Sequence, residues 1–488
     1  LTMYQNMELS IKKIIIIRDF NMDKLKVFLT VFICFIMSQL IADTHFEKGY
    51  RYEQDGWIFV HIEGDPFERG IQHGFLLAKE YENTFNCYKE MTYETLGVKY
   101  SYFAKEAIKL HKDKIPEELL EEMKGIAEGL KKAGVDATLD DIIAWNAWIE
   151  ITECYWPLQK DKYYSNILNK RKEKCSAFIA TGDATKNKEI VLSHSTFDVY
   201  WNTQWANVII DIVPTAGNRL IMQITPGYIA SMTDYFINAK GVIGVETTIA
   251  GFNPYDESKT PEYVRSRLAM QYSHDIDSFI SIINENNNGG SASTWLIGDT
   301  KTNEIACFEQ GLLYQNLKKK KDGFFYGCNV VEDPRIRNLE CSNTGYNDIR
   351  RHTGGRRVRF MHLLAKYYGK IDEIIAKKIM SDHYNVYEKK DKPSANTICA
   401  HYDSDPRYFM SSTSASHKDP YTPAGAVDTK ITTTTLAKDL KTIARFGRPC
   451  GMAFDAKSFL KEHPQWKWQE KYLQSRKKEN WTLLFPEK

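Results

Sequence analysis

The sequence predicts an α+β layered body. Three observations carry the prediction: a mainly helical first third, a change of apolar period from 3.6 to 2 after Cys175, and hairpin spacing through the middle of the chain. Runs of strands with helices kept apart from them argue against a doubly wound parallel sheet, in which the two alternate. At roughly 150 residues per domain, 488 residues make three domains or one large elaborated core.

A short strand pattern from Trp57 to Ile62 leads through Gly64-Asp65-Pro66-Phe67-Glu68-Arg69-Gly70 into a helical period reaching about Glu90. Pro66 and the two glycines punctuate that strand-to-helix turn. Helices are predicted over Pro116–Ala133, with Gly134 as the stop, and over Leu139–Glu153 after an Asp-Ala-Thr cap region. Strand patterns follow at Ser176–Thr181, Ile190–Thr196, Trp205–Val213, Arg219–Thr225, Val242–Thr248, Thr294–Ile297, Glu304–Glu309 and Phe324–Val330. Turns such as Thr215-Ala216-Gly217-Asn218 separate them. Lys318–Lys321 reads as a solvated charge run in a turn between two strands. Helical periods interrupt at Glu262–Asn286 and Arg356–Met380, and from about His417 a Trp-, Lys- and Pro-rich tail is expected to wrap the body.

Charge and cysteine usage narrow the function. With 65 Lys+Arg against 63 Asp+Glu the net charge is only +2, so no global field favours a polyanion and nucleic acid is not an expected partner. Nine cysteines are too few for a disulfide scaffold, and the number is odd. Residues 27–37 form an apolar run behind Lys24 and Lys26, suited to a signal-peptide core and short of the ~20 residues of a membrane span. Met22 is then the start, residues 1–21 an over-extended reading frame, and cleavage follows Ala42; an uncleaved anchor is the alternative. The chain from Asp43 to Lys488 is expected to be exported, with eight cysteines and no stable membrane span. Its destination is secreted, periplasmic or lysosomal, and the single glycosylation sequon, Asn480-Trp481-Thr482, does not choose among these.

The chain holds no G-x-S-x-G, no H-E-x-x-H, no P-loop glycine pattern and no C-x-x-C. What remains is Cys175, which begins a strand immediately after the charged stretch Arg171-Lys172-Glu173-Lys174. Cutting the Lys174–Cys175 bond would make it a new amino terminus that carries its own base. An α-amine of pKa roughly 7.7 to 8.0 beside a thiol of about 8.5 makes proton transfer nearly balanced at neutral pH. A buried structural cysteine is the competing assignment on the residue alone.

Here the sequence resembles the phospholipase B-like family and the hydrolases and acyltransferases of the penicillin acyltransferase type, both N-terminal-nucleophile (Ntn) hydrolases. Cys175-Ser176-Ala177 and Ser193-His194-Ser195-Thr196-Phe197 look like the nucleophile strand and the strand after it. Pro226-Gly227, Ser231, Asp234-Tyr235, Glu246-Thr247-Thr248-Ile249 and Gly327-Cys328-Asn329-Val330 follow in the family's order, and Glu68-Arg69-Gly70 with Gln72-His73-Gly74 is similar to the acyltransferase-type prosegment.

The resemblance implies a four-layer αββα sandwich, with a mainly helical prosegment or small chain at 43–174 and a catalytic chain at 175–488. It implies self-cleavage between Lys174 and Cys175, Cys175 as nucleophile, and its freed amine as base. Asn329 would donate to the oxyanion, His194 would orient the nucleophile or leaving group, and Asp198 would hold the new ammonium. No metal or organic cofactor is implied. The partner is a small-molecule or lipid acyl substrate, first a phospholipid or lysophospholipid ester, second a small N-acyl amide or peptide. Two departures motivate a third reading, a non-catalytic binding protein: Ser293 stands where the family has Asn, in the segment ending at Trp295, and Phe197 replaces Trp. Ser293 and Trp295 are still the expected substrate-side residues there.

Arg350, Arg351, Arg356, Arg357 and Arg359 flank Gly354-Gly355 at a predicted helix start, where they suit an anion or a solvated helix face. The Ntn resemblance places one arginine near the site, for which Arg357 is chosen. Asp382-His383 and His401-Tyr402-Asp403 lack a dependable metal spacing, so capping or core hydrogen bonding is their expected role. Without Cys34 and Cys175, seven cysteines remain, enough for at most three pairs, and Cys328–Cys341 is the closest in sequence.

Overall fold

Alternating apolar side chains build two sheets that face one another. The chain is described by a computed structural model over residues 44–163, 175–290, 292–407 and 419–486. The signal segment, Lys174 and the charged stretch before Cys175 lie outside the described residues.

In chain order the strands are β1 (Thr44–Phe46), β2 (Gly49–Gln54), β3 (Trp57–Gly64), β4 (Cys175–Thr181), β5 (Val191–Val199), β6 (Val208–Pro214), β7 (Leu220–Ile224), β8 (Phe236–Asn238), β9 (Val242–Thr248) and β10 (Ser293–Asp299). There follow β11 (Glu304–Gln310), β12 (Gln315–Lys320), β13 (Gly323–Gly327), β14 (Tyr384–Asn385), β15 (Lys390–Asp391), β16 (Ala424–Ala426), β17 (Asp428–Thr433), β18 (Thr442–Phe446) and β19 (Thr482–Leu484). Ten form one sheet in the order β1-β2-β3-β6-β7-β8-β9-β10-β11-β12; seven form the other, β13-β4-β5-β17-β18-β19 with β16 on β5. Strands β3 and β6 pair in parallel, Val60 opposite Ile210.

Ala177, Ile179, Leu192, Ile209, Ile221, Val245 and Leu296 fill the space between the sheets. The outer face of the larger sheet (Val60, Ile210, Met222, Trp295) packs on Met270, Phe279 and Ile283 of helices Glu262–Tyr272 and Ile276–Asn284. On the other side Phe178, Val191 and Ile431 meet Phe360, Leu364 and Ile379 of helices His352–Lys366 and Glu373–Met380. This is the αββα sandwich.

Sequence expectations change at several points. Each long helical period in the second half is two helices, because Asp275 restarts the first as a capping box with Ser278 and Asp372 caps the second. Lys318–Lys320 lie within strand β12, not a turn; β12 is the sheet's edge, where lysines block further pairing. The first third holds the expected Trp57–Ile62 strand as β3 and adds β2 beside it, both in the larger sheet, and His45–Lys488 make one compact unit. The tail supplies β16–β19, and its Lys471 and Tyr472 reach Glu90.

Helix Pro66–Leu76 starts from an Asp65–Glu68 capping box and crosses helix Glu117–Lys132 through Gly70, Gly74, Gly125 and Gly129. A Cβ at Gly74 would sit 2.1 Å from the Ile126 carbonyl oxygen, so the two backbones touch. Helices Ala78–Leu96, Tyr100–His111 and Leu139–Glu150 form a further layer, with Tyr88 edge-on to Trp145 and Trp148, that covers the Phe197–Trp201 and Tyr228–Ala230 segments. No helix among the described residues is long and apolar enough to cross a membrane.

Candidate active site

Cys175 opens β4 opposite Thr196 of β5 and faces the inter-sheet space, buried at the mouth of a pocket. Its backbone nitrogen donates to Asn329 Oδ1 at 3.3 Å. Asn329 follows β13 with φ +66°, a left-handed conformation costly for a side-chain-bearing residue and common at functional sites. Its Nδ2 donates to the Thr248 carbonyl at 2.8 Å, and its Oδ1 also accepts from Arg356 Nη2 at 2.8 Å. In this geometry the Asn329 acceptor oxygen faces the Cys175 nitrogen, and its amide nitrogen, expected to donate to an oxyanion, donates to the Thr248 carbonyl.

Arg356, not Arg357, is the arginine at Cys175. Fully buried, it donates to the Cys175 carbonyl at 2.5 Å and to Ser176 Oγ at 3.1 Å, and its guanidinium lies 5.1 Å from the Phe197 ring. One step along a helix turns a side chain by about 100°. Arg357 therefore points elsewhere, donating to the Tyr346 carbonyl and stacking on the Tyr346 ring.

Asp198 and Thr196 line the pocket from β5. His194 shares their strand face but stands opposite Ala177 and Lys430, deeper in the core and off the pocket lining. Burial, reinforced by Lys430, holds its imidazole well below the usual range. Trp295 faces the helices, edge-on to Phe279, and Ser293 shares its strand face; neither lines the pocket. The period of 2 that puts Thr294 and Leu296 between the sheets turns both away. Phe197, on the other strand face from Thr196 and Asp198, lies against Arg356 and edge-on to Tyr402, off the pocket lining.

Six acidic side chains line the pocket, Glu150, Glu153, Asp198, Asp234, Glu246 and Glu262, with Tyr228, Ser231 and Tyr263 among the rest. Burial, and then Glu246, push the Cys175 thiol well above its ordinary value, against the pull of Lys430. Burial also pushes Glu262 up to about 8, with Glu150 and Glu246 adding and Arg265 opposing. Lys430 is fully buried on β17, 2.6 Å from Asp428 Oδ1 and 3.0 Å from Thr196 Oγ1. Sequence reading missed this Lys430–Asp428 pair; the signal was two opposite charges at i, i+2, on one face of the strand Asp-Thr-Lys-Ile-Thr-Thr.

The first third holds the opposite wall. Trp145 Nε1 donates to the Pro226 carbonyl, Asn146 grips the Gly227 carbonyl and the Ile229 amide, and the Gly227 amide donates to His73 Nε2 at 3.0 Å. His73 Nε2 accepts that bond, and burial lowers its pKa to about 4. Behind it, Glu122 binds Arg69 and Arg267, and Arg267 donates to the Ile229 carbonyl.

The Phospholipase B family model matches residues 76–314, just under half of the chain, a span that contains Cys175 and Asp198 and ends before Asn329 and Arg356. The chain is 25% identical over 306 residues to a phospholipase B of Crotalus adamanteus, covering 56% of this chain and 52% of that protein. It is 24% identical over 260 residues to an uncharacterized protein of Archaeoglobus fulgidus, covering 51% and 42%. The chain thus spans about half the length of the curated relatives it matches. Among solved structures, a mutant of the conjugated bile acid hydrolase from Clostridium perfringens aligns with 56% of this chain and 89% of its own at 10% identity, with a TM-score of 0.33. The phospholipase B resemblance carried by the motifs thus recurs in a family model and in curated relatives.

Proposed function

We propose that this chain is a phospholipase B-like Ntn hydrolase that cuts itself before Cys175 and then deacylates a lipid ester through an acyl-Cys intermediate. The observation that carries the reading is Cys175 itself: a strand-initial thiol on a carboxylate-lined pocket, with its nitrogen held by Asn329 Oδ1. In processing, Cys175 Sγ attacks the Lys174 carbonyl carbon, the C–N bond breaks to leave a thioester and a free Cys175 amine, and water hydrolyses the thioester to a Lys174 carboxylate and the thiol. In turnover the amine takes the thiol proton, Sγ attacks the substrate carbonyl, and the alcohol leaves with a proton. Water then releases the acid. Arg356, bound to Asn329 and the Cys175 carbonyl, fixes the backbone of that residue. An exported location, read from residues 22–42, belongs to the same proposal.

The carboxylate wall favours a second substrate class. Once cleaved, an amide's amine takes up a proton at neutral pH, and this wall attracts the resulting cation, whereas a bare anion is repelled. Matched ester and amide substrates of one acyl chain separate the two; turnover of amides alone would remove the lipid-ester assignment.

The decisive measurement is intact mass with amino-terminal sequencing of the purified protein. A fragment beginning at Cys175, absent from Cys175→Ala, is expected; an active chain with Lys174 still attached would exclude the free-amine base.

A further inference from the structure

Away from the pocket, two histidines and two cysteines from three separate segments converge. His383 lies three residues beyond helix Glu373–Met380, Cys399 and His401 share a loop, and Cys450 sits in the turn after β18. Their donor atoms all lie within 4.8 Å of one another. His401 Nε2 is 3.0 Å from His383 Nε2, 3.3 Å from Cys399 Sγ and 3.6 Å from Cys450 Sγ. Zinc bonds of about 2.0–2.1 Å to nitrogen and about 2.3 Å to sulfur give tetrahedron edges of about 3.3 to 3.8 Å. The three separations fall close to that range. Two imidazole nitrogens facing each other at 3.0 Å share at most one proton; with that proton absent, both offer lone pairs beside the two sulfurs.

The surroundings are built. Cys399 and His401 are fully buried. The Cys399 amide donates to the Asp382 carbonyl, and Arg359 grips the Asp382 carboxylate at 2.6 and 2.8 Å, fixing the base of His383. The Met452 amide lies 3.4 Å from Cys450 Sγ, the contact a thiolate ligand attracts.

We propose that His383, Cys399, His401 and Cys450 bind one Zn²⁺ as a structural site. Four protein ligands close the coordination shell, so the ion does no chemistry on substrate. It clasps the 394–401 loop, whose Ala400 carbonyl accepts from the Ala426 amide of β16, the strand that pairs with Phe197 and Asp198 of β5. The same loop holds the Arg350 carbonyl through Asn396. The metal thus braces the back of the proposed active site, independently of whether that site is a hydrolase.

The test is metal analysis of the full chain purified without chelator, with Co²⁺ as spectroscopic probe. The expected result is one zinc per chain, a tetrahedral thiolate spectrum on cobalt exchange, and two cysteines that alkylate only after chelation and map to 399 and 450. Cys450→Ser and His383→Ala should each weaken zinc retention at least tenfold. A Cys399–Cys450 disulfide in non-reducing peptide maps, zinc retained by both variants, or no zinc taken up from a stoichiometric solution would each overturn the proposal. Should the variants fail to fold, the cobalt spectrum and alkylation pattern of the unaltered chain still decide it.

Discussion

Adjacent arginines make the sharpest comparison at the level of single residues. Hydrogen bonds to a charged donor contribute about 1.5–3 kcal/mol each, and 1.4 kcal/mol is a factor of ten in rate. Arg356→Gln is therefore expected to slow self-cleavage and turnover by at least ~10-fold, while Arg357→Gln, which loses contacts to Tyr346, stays within about 2-fold; equal effects in a rate assay would refute the positioning role. Glu262 carries a pH signature. Its carboxyl, raised from 4.5 to about 8, binds its proton more tightly when folded, so its stabilising contribution is full below about pH 4.5 and is lost as pH rises through 8. Thermal midpoints should fall between about pH 5 and 8, and less so in Glu262→Gln. Glu122 has the opposite sign: burial opposes ionisation, but Arg267 and Arg69 hold its pKa down to about 2, so its contribution disappears as pH drops from 4.5 toward 2.

Between elements, the glycine crossing decides. Gly74→Ala or Gly129→Ala would drive a methyl into a backbone carbonyl 2.1 Å away, and overpacking of this kind costs about 1–3 kcal/mol. A denaturant midpoint unchanged in either variant would contradict the close crossing. Here the limits of sequence reading are physical. Strand β9 was legible to the residue, and Cys175 at the head of β4 to within one, because a buried strand between turns leaves a clean period of 2. The break at Ser273–Asp275 was hidden, because Ile276, Phe279 and Ile283 continue the apolar period across it. Arg356 was missed for Arg357 because a run of arginines does not reveal which one a helix turns inward. His383, Cys399, His401 and Cys450 carry no local spacing, since three segments distant in sequence supply them.

For the whole molecule, the interior place of β3 in the larger sheet governs what cleavage can do. With β3 between β2 and β6, and His73, Trp145 and Asn146 gripping the 226–229 loop, a chain cut before Cys175 should remain one particle. Native mass measurement is expected to find both pieces together and denaturant to part them; separate elution under native conditions would contradict the sheet order. The parallel pairing of β3 with β6 joins stretches some 150 residues apart in sequence, so it also sets an order of events. While the chain is continuous, that pairing is a loop closure whose rate is independent of protein concentration. Once the bond is cut it becomes an encounter between two molecules, diluted in proportion to their number. Processing would then act as a ratchet: the precursor refolds alone, whereas the mature particle, once unfolded, returns only as fast as its halves can find each other.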